Sequence, residues 1–246
     1  TSQGTHAIAV GQAAGYSEQG GAAVAVGYQA GQTSQGANAT AVGYLAGNSE
    51  QAINTVAVGL QAAQTSQGTH AIAMGYLAGN SEQKTHALAV GREAGQTSQG
   101  KYATGVGVQA GETLQGCHAV AVGTASGRTS QADYAVAIGY SAGLTEQKIH
   151  TVAVGVLAGE TKQGCSSVAV GREAGQTSQG ISAVAVGYVA GQTVQGANAT
   201  AVGYFAGKTS QGASAVAIGV TAGQTSQGAH SVAIGNVAGL TAQAAN

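Results

Sequence analysis

A glycine recurs at every sixteenth residue, at Gly11, Gly27, Gly43 and on to Gly235, without one slip in a chain of 246 residues. A fixed period of this size is the signature of a stacked architecture, in which each unit buries its apolar residues only by lying against its neighbours. The period runs from end to end, so the sequence predicts a single continuous domain over residues 1–246. Function then has to be read from columns of the repeat. We number these so that Thr1 is column 1 and Tyr16 is column 16.

Columns 7 to 10 read Ala-Val-Ala-Val, with variants such as Ile8, Ile72, Leu88 and Met74. This alternation of small and β-branched residues is a strand pattern. The larger side chains of columns 8 and 10 are read as the interior, with Val10, Val26 and Val42 stacked inside. The small residues of columns 7 and 9 are read as an outer face suited to close contact between chains, near Ala39 and Ala41. Column 11 is always Gly, and column 15 is Gly except at Ala63, which brackets a corner. Columns 16 to 3 form a second extended stretch, and its constant columns 1 and 3 are read as pointing inward. Two strands of about five residues and two corners of about three then fill one coil. The expected fold is all-β: a parallel β-solenoid of about fifteen coils with two strands per coil. One Gly in about six residues and no helical spacing of long apolar side chains exclude a helical solenoid.

With 42 Gly, no Pro, no Trp and one Phe, the interior must be thin and the backbone hydrogen bonds must carry much of the cohesion. Eight basic against nine acidic side chains give no field for nucleic acid. The apolar runs are far shorter than the roughly 20 residues that cross a bilayer, which argues against membrane insertion. Cys117 and Cys165 share column 5 three coils apart, about 14 Å at the strand spacing, too far for a disulfide within one chain. The chain starts with TSQGTH and stops with TAQAAN in matching register, without Pro, charge cluster or amphipathic helix to blunt the open ladder. The sequence therefore predicts an array that continues in a longer fibre or stacks end to end.

Column 3 is Gln in every coil, from Gln3, Gln19, Gln35, Gln51, Gln67, Gln83, Gln99 and Gln115 on to Gln243. Stacked amides one strand spacing apart can bond along the stack and to corner carbonyls, so the row is read as a structural ladder. All six histidines fall in column 6, and only His70 and His86 are in adjacent coils. A closed metal site wants three or four converging ligands, so the column is read as polar residues leading into the strand, with no metal and no cofactor. No column pairs a nucleophile with a base and an acid, and Asp133 is the sole Asp, so no enzymatic activity is expected. Tyr28, Tyr44, Tyr76, Tyr140, Tyr188 and Tyr204 share column 12 just past the Gly corner, where they either pack the corner or form a contact surface. Arg92-Glu93 and Arg172-Glu173 interrupt that column and read as solvated ion pairs.

The stretches HSVAIG at His230–Gly235 and SSVAVG at Ser166–Gly171 resemble the NSVAIG-type repeat in the heads of YadA-like trimeric autotransporter adhesins, and similar repeats occur in phage and large-virus fibre proteins. The resemblance covers every coil. It departs in its strict sixteen-residue coil, its unbroken TSQG strand and the lack of a neck or stalk, which leaves a virion fibre or another surface filament open. The resemblance implies a left-handed β-roll, three chains about a threefold axis, and an extracellular adhesin on a cell or virion surface. The expected function is a non-enzymatic structural and adhesive fibre segment. Its partners would be further copies of itself, as a homotrimer or end-to-end filament, and a cell-surface or glycan receptor at the corners. The alternative is an ice-binding β-solenoid, on the strength of Thr repeating in column 1, although a second Thr two residues on is replaced by Gln. An acyltransferase on a hexapeptide repeat is more distant, since sixteen is not a multiple of six.

Overall fold

The computed structural model describes residues 2–244; Thr1, Ala245 and Asn246, on which the reading of the end registers partly rests, lie outside them. The described residues form short β-strands and no helix. Residues 1–122 and 123–246 make two compact units with the same internal organisation. In each, consecutive strands go alternately to two parallel sheets. One sheet takes columns 8 to 10, beginning with β1 (Ile8–Val10) and β3 (Val24–Val26). The other takes columns 1 to 3, beginning with β2 (Ser17–Gln19) and β4 (Thr33–Gln35). The register advances by sixteen residues: Val10 pairs with Val26, and Gln19 pairs with Gln35. The fold is thus a parallel β-solenoid of about fifteen coils with two strands each, as the glycine period requires.

The strands are three residues long or shorter, not about five. The difference lies in how often the chain turns. From Ala13 to His118 the first unit takes left-handed backbone in every coil at column 2 (Ser34, φ 52°), column 6 (Asn38, φ 56°), column 13 (Gln29, φ 50°) and column 15 (Gly31, φ 52°). Column 11 goes further: Gly27 has φ 132°, a region that only Gly occupies comfortably. A Cβ built there would sit 2.4 Å from the carbonyl oxygen of Gly43 in the next coil, so the invariance of this column is steric.

The side of the sheet on which each column points corrects the sequence reading. Val10 is 56% exposed, and Val26 and Val42 are half-buried on the outer face, so these residues do not stack inside. The interior is made of the small columns instead. Ala39 and Ala41 are fully buried there, with Ala25, Ala30 and Ala46, and cannot form a contact between chains. Alternation alone does not say which face is inner. The distance between the two sheets decides it: an interior that must also hold a Gln side chain from the opposite strand has room for Ala and not for Val. Column 1 is corrected too, since Thr33 is exposed and Ser17 half-buried. From Glu18 to Glu146 a left-handed residue between columns 1 and 3 breaks the alternation that would have put both inside, and in later coils, such as those of Thr177 and Thr193, the strand begins only at column 2 and leaves column 1 exposed outside it.

Candidate functional site

The Gln row is the polar spine of the interior. Gln35 is 1% exposed, and its Nε2 donates to the carbonyl of Val24 at 2.9 Å and to that of Ala39 at 3.3 Å, bonds that run from one sheet to the other. Rungs are joined side chain to side chain, as Gln19 Nε2 to Gln35 Oε1 at 3.1 Å and Gln83 Nε2 to Gln99 Oε1 at 3.0 Å. Gln3, Gln51, Gln67 and Gln115 belong to the same row, with Gln51 bonded to Gln67 and Gln99 to Gln115. An amide is well suited to this place. It supplies donors for the strand carbonyls and an acceptor for the rung before, so a narrow interior keeps its polar groups paired. The row is structural, and its amides bond within the interior except at the side-chain oxygens of Gln51 and Gln147, which have no partner.

What faces outward can meet a partner. Columns 8 and 10 give the first sheet an outer face of Val, Ile, Leu, Met and Thr, among them Ile8, Met74, Ile138 and Ile218 at 38–52% exposure. Repeated coil after coil within each unit, this is an apolar surface of a kind that soluble monomers seldom expose. Sequence reasoning missed it by putting Val inside. The available signal was variability: column 8 changes between Val, Ile, Leu and Thr, whereas the buried column 9 is Ala throughout except at Gly105.

Column 12 is exposed, as the sequence predicts: Tyr28, Tyr44, Tyr76, Tyr140, Tyr188 and Tyr204 range from 38% to 57%. Where two are adjacent they also stack, Tyr28 on Tyr44 at 5.1 Å and Tyr188 on Tyr204 at 5.3 Å, so these rings pack the corner while staying exposed. In the second unit the pair is part of a larger cluster. Arg172 lies over the Tyr188 ring at 5.5 Å and bonds Glu173 at 3.0 Å, while the single Phe of the chain, Phe205, tilts against Tyr204 and carries Lys208 over its ring at 4.5 Å. Such aromatic and cationic groups are the kind that anchor contacts.

Column 6 holds a stack that the sequence only half disclosed. His70, His86, Tyr102 and His118 pile ring on ring with 4.9 Å between successive centroids. Tyr134 stacks on His150 in the second unit at 5.1 Å. The two cysteines are half-buried thiols and are not disulfide-bonded. A shallow polar depression lies beside Glu50, Ser66 and Lys84, where the Ser66 hydroxyl donates to Glu50 Oε2 at 2.8 Å. No helix among the described residues is long and apolar enough to cross a membrane. Comparison with known protein families and with curated proteins gives no match for this chain.

Proposed function

We propose that the chain is a non-enzymatic structural and adhesive fibre segment that assembles with copies of itself through the outer face of its first sheet. The observation that carries this reading is the apolar row of columns 8 and 10, turned outward in coil after coil. Covering it releases ordered water from a large apolar area, the usual driving force for permanent association. A self-closed interior of Ala and paired Gln supports a scaffold role. The resemblance to YadA-like heads adds the parallel homotrimer and the extracellular setting, on a cell or virion surface. The exposed Tyr corners would then be the contacts for a cell-surface or glycan receptor. Sedimentation at micromolar concentration tests the assembly: three times the 23.6 kDa chain is expected, and a monomer removes the reading.

One observation favours the ice-binding alternative. The Thr row of column 1 lies outside and not inside, with Thr33 and Thr65 exposed at equivalent positions two coils apart. A thermal hysteresis measurement separates the two readings, and a solution that freezes without hysteresis or faceted crystals eliminates this second one.

A further inference from the structure

One triplet, present twice, breaks the pattern of the outer face. Column 8 is Val, Ile or Leu in every coil but three, and two of the three exceptions, Thr40 and Thr200, stand two residues after Asn38 and Asn198. Both triplets read Asn-Ala-Thr, the Asn-x-Ser/Thr pattern of an N-glycan acceptor. We propose that Asn38 and Asn198 are modification sites for an N-linked oligosaccharide. The sites rest on the extracellular setting proposed above, because the sugar is transferred to chains entering the secretory route.

The triplet is short, and the fold makes it a site by dividing its residues between surface and interior. Asn38 and Asn198 are exposed, Ala39 and Ala199 are fully buried, and Thr40 and Thr200 lie on the outer face where a strand begins. Each Asn stands at a corner with φ of 56° or 57°, left-handed backbone that Asn tolerates better than most residues. Ladder bonds hold that backbone, the Asn38 N–H to the Gly21 carbonyl at 3.0 Å and the Asn198 N–H to the Ile181 carbonyl at 2.8 Å. A sugar on the side chain therefore leaves the coil as it is.

There is room for it. Ala22 stands one coil before Asn38, and Ser182 and Ser214 flank Asn198, all of them small. The stacked rings of column 6 begin only at His70 in the first unit. Asn38 Nδ2 donates to Asn54 Oδ1 at 3.0 Å on the exposed side of the corner. In the transfer, this nitrogen forms a bond to the anomeric carbon of an oligosaccharide carried on a lipid pyrophosphate. The bond from that carbon to the pyrophosphate oxygen breaks, the lipid pyrophosphate leaves with the electron pair, and the amide gives one proton to a base of the transferase. Nothing is oxidised or reduced. The linked amide keeps one N–H, enough for the bond to Asn54. Asn54 itself is the internal control: it is exposed in the same column at φ 57°, but Val56 stands two residues on and its Thr55 is one position too early.

The test is secretion of the full chain from a eukaryotic cell behind a cleavable signal sequence, with peptide mapping before and after peptide N-glycosidase, which leaves Asp where a sugar was. Sugar is expected at Asn38 and Asn198 and not at Asn54. Thr40→Val should abolish it at Asn38 alone, and this variant keeps its fold because Val24 and Val56 already fill the column in the neighbouring coils. Melting curves before and after enzymatic release should coincide. Bare Asn38 and Asn198 in the secreted parent overturn the sites, and so does a melting temperature that rises on release, since the fold then rejects the sugar. Sugar on the secreted chain but none on the protein from its own source places the failure in the extracellular setting; the modification falls with it, and the acceptor geometry stands.

Discussion

The side-chain Oε1 of Gln51 is buried with no hydrogen-bond partner, and four residues on, Thr55 stands where neighbouring coils carry Ala39 and Ala71. The conjunction recurs in the second unit, where Gln147 Oε1 is unpaired and Thr151 occupies the same column. Ser in this column does no such harm. Gln163 precedes Ser167 and still accepts from Gln147 at 3.0 Å, and Gln227 precedes Ser231 and accepts from Gln211 at 3.2 Å. Ser and Thr hydroxyls make the same bond back along the chain, Thr55 to Ala52 at 2.9 Å and Ser167 to Gly164 at 2.7 Å. What distinguishes the two coils is the γ-methyl of Thr, an extra carbon in an interior sized for Ala.

Thr55→Ser should therefore stabilise the protein. Pairing the Gln51 oxygen recovers about 1–3 kcal/mol, against about 0.8 kcal/mol for a lost buried methyl group. A rise in the denaturation midpoint is the expected outcome, and Thr151→Ser should behave alike. A fall in both would mean that the methyl is well packed and the ladder is broken there for another reason.

Gln35→Ala should destabilise by about 1–3 kcal/mol more than Gln29→Ala. The first removes the acceptor for Gln19 Nε2 and the donor to Val24 and Ala39. The second trims a half-buried corner residue of column 13. Equal melting temperatures for the two variants would count against the inward ladder.

Constancy and size carried different parts of the sequence reading. Gln35 in a fixed column next to a variable one pointed inside, and it is inside. Gly27 marked the corner, and Tyr44 marked the exposed side of it. Val26 against Ala25 goes the other way, because side-chain size is no sign of burial in a chain whose interior is too thin for Val. Thr33 failed for a local reason: Ser34, at φ 52°, turns the strand between Thr33 and Gln35, and no residue preference signals a left-handed Ser. The stack of His86 on Tyr102 is legible only when every ring-bearing residue of column 6, and not His alone, is set at the strand spacing.

Column 11 and column 15 are both glycine corners, but they should respond differently to a methyl group. Gly27→Ala forces a Cβ to 2.4 Å from a backbone oxygen at φ 132°, and a loss of about 3 kcal/mol or more is expected from strain and displacement together. Gly79→Ala meets the flexible amide of Gln83 at 2.9 Å, and the chain already accepts Ala63 in this column at φ 46°. Its cost should be near 1 kcal/mol. Thermal melts of the two variants decide it, and a Gly27→Ala protein as stable as the parent would show that the coils can shift to admit a side chain.

Ala57 and Val58 are consecutive residues on opposite sides of one strand, which makes them a clean test of the inside-out arrangement. Ala57 is fully buried against the interior of the coil, and Ala57→Leu adds three carbons where the facing sheet leaves no room. A loss of about 1–3 kcal/mol or more in stability is expected, whatever the state of association. Val58 is half-buried on the outer face, and Val58→Lys puts a charge into the surface that would cover it in an assembly. On its own the coil tolerates this, within about 0.5 kcal/mol as for other surface changes, while the assembly does not, because burying an unpaired ammonium is costly. Sedimentation and melting on the same samples separate the two effects: Ala57→Leu should lower the melting temperature, and Val58→Lys should lower the mass. If Val58→Lys melts early at the parent's mass and Ala57→Leu is neutral, Val is the inner residue after all.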